Sequence, residues 1–230
     1  MPKKYTRRRR QKRPYRKKRY KKRSYNGSAT TISATSTLPF PKIYKVKMRY
    51  ADNIVLDTST GLVANHTFCI NGVYDVDITG TGHQPTGFDQ IMPFYDHYVV
   101  IGCKATFSFA TRDDINTALV GITMRDSVAA VTDYREVVEQ GNTKHSILGT
   151  ENGQGIKTIR YAINPNRFLG RSKPMSDPQL KGSISSNPTE LAYAHVWAYA
   201  PNGGNLNPLD VTVLLEYVVM FIEPKTVGLS

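Results

Sequence analysis

Apolar and polar residues alternate one by one over long stretches of this chain, and a period of two is the pattern of β-strands. The alternation runs through Tyr44–Tyr50, Val99–Phe109 and Leu191–Tyr199. A fourth segment, Val211–Ile222, is apolar on both faces apart from two polar residues, which is typical of a central strand covered on both sides. The pattern predicts an all-β fold.

Four shorter segments bring the number of predicted strands to eight. They are His66–Ile70, Ala118–Met124, Ile156–Ile163 and Leu180–Ser185. Two of the long connections contain predicted short helices. One is Tyr134–Gln140, where Asp133 and Glu136 form the pattern of a capping box. The other is Phe88–Tyr95, interrupted at Pro93. Eight strands joined by uneven loops are more typical of a single jelly roll than of an up-and-down barrel.

Positive charge is concentrated at the N-terminus. The first 25 residues contain fifteen Lys and Arg and no acidic residue, whereas the rest has sixteen basic against eighteen acidic residues, a net charge of −2. Like charges at this density repel, and no apolar segment offsets the entropy of ordering, so residues 1–25 are predicted to be a disordered basic arm. A Ser/Thr/Ala/Gly-rich linker, 26–41, would connect the arm to a jelly-roll domain, 42–230.

The composition of the arm indicates a polyanionic partner. Lys and Arg attract phosphate groups in a sequence-independent, salt-sensitive way, and the four interleaved tyrosines can stack on unpaired bases. The arm residues predicted to bind nucleic acid are Lys3, Lys4, Arg7, Arg8, Arg9, Arg10, Lys12, Arg13, Arg16, Lys17, Lys18, Arg19, Lys21, Lys22 and Arg23. A polybasic run is also a signature of nuclear import. A solubilising tail and a membrane-surface segment are the alternatives, but the arm has no apolar face for a membrane.

The first strand of the body continues this basic character. Lys45, Lys47 and Arg49 share one of its faces, and we predict that they extend the nucleic-acid-binding surface if that face looks into a shell. A solvated strand face is the alternative. Three aromatic residues lie at strand positions: Tyr161, Trp197 and Tyr199. One possibility is that they stack on bases, and the other is that they pack in the core or in a contact between subunits.

The sequence contains no recognisable catalytic motif, so we expect no enzyme, no cofactor and no small-molecule substrate. Asp75 and Asp77 lie near His83 and form either a cation site or a polar turn, and no third ligand is evident. Cys69 and Cys103 occur in strand-like segments without CxxC spacing, which indicates buried reduced thiols. No run of eighteen apolar residues occurs, so no transmembrane segment is expected.

Three features that together span nearly the whole chain are the Arg/Lys/Tyr arm, a loop-to-strand segment and the end of the last strand. The loop-to-strand segment runs from Gly87-Phe88-Asp89-Gln90 through Phe94-Tyr95-Asp96-His97-Tyr98 into Val99-Val100-Ile101-Gly102, and the last strand ends Phe221-Ile222-Glu223-Pro224-Lys225. In these features the chain resembles the capsid proteins of circular, Rep-encoding single-stranded DNA viruses, the circovirus-like group. The resemblance implies one jelly roll of two four-stranded antiparallel sheets and an icosahedral T=1 shell of sixty identical subunits. It also implies a packaged circular single-stranded DNA genome, a place in the virion, and a nuclear phase that uses the host's nuclear import machinery.

Two other classes of function stay open on the residues alone. A non-viral nucleic-acid-binding protein, of ribosomal or chromatin type, usually has a basic folded body as well, and a body of −2 argues against it. A jelly-roll enzyme or lectin would need a His/carboxylate cluster or an aromatic sugar platform that the sequence does not contain.

Overall fold

The computed structural model describes residues 39–112, 117–149 and 155–226. Within them the chain forms eight strands and only short helices. The strands are β1 Ile43–Thr58, β2 Val63–Cys69, β3 Tyr95–Thr111, β4 Ala118–Arg125, β5 Thr143–Leu148, β6 Ile156–Ile163, β7 Tyr193–Tyr199 and β8 Leu206–Pro224. The helices are α1 Phe88–Ile91, α2 Tyr134–Glu139 and α3 Pro165–Phe168, with 3₁₀ turns at Met92–Phe94 and Pro178–Leu180.

The strands form two four-stranded sheets that we name by their order, β1-β8-β3-β6 and β2-β7-β4-β5. All neighbours are antiparallel. The last strand lies between the first and the third, and β7 lies between β2 and β4, so each sheet combines strands from both ends of the sequence. This order confirms the predicted single eight-stranded jelly roll with two four-stranded antiparallel sheets.

The core lies between the two sheets and consists of the inward residues of each alternating strand. Its largest fully buried side chains include Tyr50, Phe68, Phe107 and Tyr217. The rings of Phe68 and Phe107, one from each sheet, lie 5.8 Å apart. Tyr217 Oη donates a 2.6 Å hydrogen bond to the carbonyl of Cys69 across the same space. The polar atom of this large core residue is therefore satisfied, as burial requires.

Both cysteines are free and buried, as predicted. Burial raises the pKa of the Cys69 thiol to about 12 and also raises the pKa of the Cys103 thiol. At neutral pH both stay protonated, so neither is a nucleophile.

Two predictions about local structure differ from what is found. The strand predicted at Leu180–Ser185 is instead a 3₁₀ turn followed by a reversal in which Ser183 bridges Ser186. The strand β5, which the sequence analysis missed, pairs with β4 at the edge of its sheet. An edge strand exposes most of its side chains, and in β5 only Leu148 is buried, so the alternation is weak.

Helix α2 covers part of the outer face of the β2-β7-β4-β5 sheet. Asp133 accepts a hydrogen bond from the backbone N–H of Arg135 and caps the helix, as predicted, and Gly141 follows it with φ 83°. Val137 packs with Trp197 in a second, smaller apolar cluster. The predicted break at Pro93 is also found, since α1 passes into a 3₁₀ turn there.

Candidate nucleic-acid interface

The outer face of β1 is basic because the strand alternates between the core and solvent. Met48 and Tyr50 are buried between the sheets, whereas Lys45, Lys47 and Arg49 are exposed on the opposite side. The structure therefore places all three predicted body residues on one accessible surface. We call the outward side of the β1-β8-β3-β6 sheet the basic face.

The strand order adds two cations that sequence reasoning did not select. Arg49 is opposite Glu216 of β8, and Glu216 is opposite Lys104 of β3. Arg160 of β6 is opposite Thr106, two residues further along β3 than Lys104. Lys104 and Arg160 therefore lie on the same face as the β1 cations, although they are distant in sequence.

A single carboxylate, that of Glu216, lies among three of these cations. Its oxygens are 3.1 Å from Lys104 Nζ, 3.4 Å from Arg49 Nε and 3.7 Å from Lys47 Nζ. The hydrogen bond from Lys104 is the main reason that the pKa of Glu216 is lowered, and the positive charges of Lys104 and Lys47 add to it. One negative charge cannot neutralise three positive ones, so this group has a net charge of +2.

The remaining cations of the basic face are not neutralised. Lys45 and Arg160 are exposed and form no ion pair with any residue that the structure describes. The opposite end of the same sheet differs, since Arg112 there pairs with Asp210 at 2.6 Å. The excess of positive charge thus extends from the end where β1 begins to the middle of the sheet.

The chain enters the body at that same basic end. The rings of Phe40 and Phe94 lie 4.5 Å apart, and Tyr95 Oη donates a 3.1 Å hydrogen bond to the carbonyl of Pro41. At a rise of about 3.3 Å per residue, Lys47 lies about 13 Å along β1 from Ile43. The arm, 1–25, with its predicted binding residues Lys3 to Arg23, lies outside the described residues, as does most of the linker.

The acidic pair Asp75 and Asp77, for which a cation site and a polar turn were the two possibilities, is part of a turn. Asp77 Oδ1 accepts hydrogen bonds from the backbone N–H and the hydroxyl of Thr79, at 3.1 and 2.9 Å, and lies 3.0 Å from His66 Nε2. His83 stacks on Tyr50 instead of joining Asp77. Among the residues that the structure describes, no three His, Cys, Asp or Glu side chains are grouped so as to hold a metal ion.

The three aromatic residues proposed as alternative base-stacking positions do not lie on the basic face. Trp197 is fully buried, and its indole N–H donates to Thr123 Oγ1 at 2.9 Å. Tyr199 stacks on Tyr134 beside α2. Tyr161 packs against the main core and has Lys144 over its ring. Packing is therefore their role in the isolated chain.

No helix within the described residues is long and apolar enough to cross a membrane.

No protein-family model matches this chain, and no curated protein matches it. Among solved structures, it is similar to Desmodium yellow mottle tymovirus, with 14% identity, 87% of this chain and 99% of that chain covered, and a TM-score of 0.41. It is also similar to turnip yellow mosaic virus, with 10% identity, 86% of this chain and 91% of that chain covered, and a TM-score of 0.47. A third similar structure is the crystal structure of a 60-mer of the BFDV capsid protein, with 11% identity, 83% of this chain and 100% of that chain covered, and a TM-score of 0.45. At these values the fold assignment rests on the strand order of the two sheets and not on the similarities.

Proposed function

We propose that this chain is the coat protein of a small icosahedral, circovirus-like single-stranded DNA virus, which assembles a T=1 shell of sixty copies and packages a circular genome. The role is structural and not catalytic. The observation that supports it best is the arrangement of charge. An arm with fifteen Lys and Arg among 25 residues precedes a jelly roll of net charge −2, and the described chain enters the jelly roll at the basic end of one of its sheets.

That arrangement gives the body one surface suited to nucleic acid. With the basic face turned inward, Lys45, Lys47 and Arg49 would meet the same phosphates as the arm, together with Lys104 and Arg160. The rest of the body would remain available for contacts between copies. A non-viral nucleic-acid-binding module has no need to confine its charge in this way.

The polybasic arm has a second proposed use as a nuclear localisation signal. It would direct newly made subunits to the host nucleus through the nuclear import machinery, and the same charges would bind the genome during assembly. In the virion the arms would lie inside the shell.

Electron microscopy of the purified full-length protein tests the shell. We expect uniform closed particles, formed best with single-stranded DNA or at raised salt, because the arms would bring about 60 × 15 = 900 positive charges into one cavity and oppose closure without a polyanion. A variant that lacks residues 1–25 should close without DNA or remain as small oligomers. Full-length protein that stays monomeric with single-stranded DNA in every condition would support the binding-module alternative.

The deletion also tests the arm. We expect the shortened protein to stay folded by circular dichroism and to lose most of its affinity for single-stranded DNA at moderate salt. Equal affinity of the two forms would show that the arm is not the main binding element.

A further inference from the structure

An open groove crosses the basic end of the β1-β8-β3-β6 sheet. One part, of about 380 Å³, is bounded by Lys47, Lys104 and Glu216. A second part, of about 510 Å³, lies beyond the end of β6 and is bounded by Arg167 and Arg171. The two parts share Asn164 in their walls, so they lie next to each other. Sites for small organic ligands have volumes in the same range, roughly 300–1,000 Å³.

The floor of the groove is apolar, and it lies close to the backbone because two of its residues have almost no side chain. Ala162 of β6 lies opposite Lys104, and Gly102 precedes Lys104 by two residues on β3. Val218 of β8 lies opposite Gly102. The register between β3 and β8 shifts between Val100 and Gly102, which marks a β-bulge at the join of the two parts. Bulges are over-represented beside binding sites because they redirect the side chains of a strand.

The rim of the groove is positively charged. Lys47 and Lys104 share the carboxylate of Glu216 with Arg49, which leaves an excess of positive charge. Arg167 is exposed and forms no ion pair with a described acidic residue, whereas Arg171 is 3.4 Å from Asp177 and 3.7 Å from Glu190 and is neutralised. An apolar floor between cations is complementary to a group that has one flat apolar part and one anionic part.

We propose that the groove binds one nucleotide of a single-stranded nucleic acid, with its base on the Gly102, Ala162 and Val218 floor and its phosphate on the solvent side of Lys47 and Lys104, whose charges the single Glu216 carboxylate does not neutralise. This inference rests on the proposed function, in which the arm brings the nucleic acid to the body. Strand β1 begins at Ile43, about 13 Å from Lys47 at about 3.3 Å per residue. The floor offers no hydrogen-bond pattern to a base edge, so every base is accepted. The arm then supplies most of the affinity, and the groove fixes where the strand lies on the sheet.

Lysine footprinting of the full-length protein tests the groove separately from the arm. The protein is acetylated with a limiting amount of reagent, alone, with a thymidine oligonucleotide, or with an abasic deoxyribose-phosphate chain of the same length. Peptide mass spectrometry then gives the acetylation rate of each lysine. Lys157, exposed toward the other end of β6, is the internal control. We expect the oligonucleotide to lower the acetylation rates of Lys47 and Lys104 several-fold and the abasic chain to lower them less. Neither probe should change the acetylation rate of Lys157.

Two matched variants isolate the floor. Ala162→Leu fills it without changing the charge, and Ala51→Leu adds the same side chain at an exposed position of the same face, on β1. In Ala162→Leu we expect the oligonucleotide and the abasic chain to protect Lys47 and Lys104 from acetylation equally. In Ala51→Leu we expect the same difference in protection as in the unmodified protein. Equal protection by both probes in the unmodified protein, or a difference that survives in Ala162→Leu, overturns the nucleotide groove.

The arm lysines report on the proposed function in the same experiment. Protected arm lysines with unprotected Lys47 and Lys104 would overturn the groove alone. Protected Lys47 and Lys104 with unprotected arm lysines would support the groove and overturn the role of the arm. If neither group is protected, both proposals are wrong.

Discussion

A histidine buried among neutral polar groups makes the body sensitive to pH. His195 is completely buried, with Nε2 2.8 Å from the carbonyl of Ser127 and Nδ1 3.0 Å from Thr67 Oγ1. A carbonyl only accepts, so Nε2 donates and Nδ1 accepts from the Thr67 hydroxyl. Burial is the main reason that the pKa of His195 is lowered, and the positive charge of Arg125 adds to it. The neutral ring is the form that fits the fold.

That lowered pKa predicts a loss of stability in mild acid. The unfolded chain takes up a proton on His195 near its ordinary pKa of about 6.5, before the folded chain does. The free energy of unfolding should therefore fall as the pH drops below that value, until the lower folded pKa is reached. His195→Gln should reduce this fall in urea titrations on either side of pH 6.5, whereas His145→Gln, at an exposed position, should leave it unchanged. The same pH dependence in His195→Gln would contradict the assignment.

Two strand glycines differ sharply in the space around them, which gives a second test at the level of single residues. A Cβ on Gly121 would lie 2.3 Å from the ring of Trp197, whereas a Cβ on Gly102 would meet Val218 at an ordinary 3.8 Å. Gly121→Ala should therefore lower the free energy of unfolding by about 1–3 kcal/mol, because the buried indole must move. Gly102→Ala should change it little, and similar losses in the two variants would contradict the packing described for Trp197.

Among the elements of the fold, β1, β8 and β3 are joined on their outer side by the carboxylate of Glu216. Glu216→Gln leaves the cations of all three strands without a counter-charge, so we expect a loss of stability of about 1 kcal/mol at low salt, discounted for the exposure of the cations. Added salt should reduce the loss. The lowered pKa of Glu216 means that its contribution is present at neutral pH and disappears as the pH falls through the folded value.

The control for this change is Asp210→Asn. Asp210 forms an exposed ion pair with Arg112 at the other end of the sheet, and both side chains are about half exposed. We expect a smaller loss in thermal unfolding for this variant than for Glu216→Gln. An equal or larger loss for Asp210→Asn would contradict the greater contribution expected of the three-strand ion group.

The sequence predicted those elements whose two faces differ strongly, and failed where they do not. In β1 and β3 one face is turned to the core and is much less exposed than the other, so a period of two was visible. In β5, at a sheet edge, only one residue is buried and the strand was missed. Val211–Ile222 was correctly predicted as central, but Val218 on its outer side is half-buried and not covered by another layer of the described residues.

The basic face was predicted only in the part that one strand contains. Lys45, Lys47 and Arg49 follow one another along β1, so alternation alone places them together. Lys104 and Arg160 join them only because β8 lies between β1 and β3 and because β6 pairs with β3. A charged residue in the polar phase of Val99–Phe109 was the available signal for Lys104, but strand order is a property of tertiary pairing that local patterns do not contain.

At the scale of the whole molecule, the separation of charge predicts a steep dependence of DNA binding on salt. If all fifteen arm cations contact phosphate, the slope of log K against log[salt] for a single strand approaches about −0.7 × 15, or roughly −10, as an upper bound. Fluorescence anisotropy over a series of salt concentrations measures it. A slope near zero, or a strong preference for one short sequence, would contradict binding through phosphates.

The position of β8 has a consequence for how the protein is made. The last strand of the sequence separates β1 from β3, so the β1-β8-β3-β6 sheet cannot form until the C-terminal segment has left the ribosome. Pairing between such distant parts of a chain is slow, because the loop entropy must be lost before the contacts form. A polypeptide that stops before Leu206 has two unpaired sheet halves and no route to the native register. Only complete chains can therefore form this sheet, and prematurely terminated chains are left open to proteolysis.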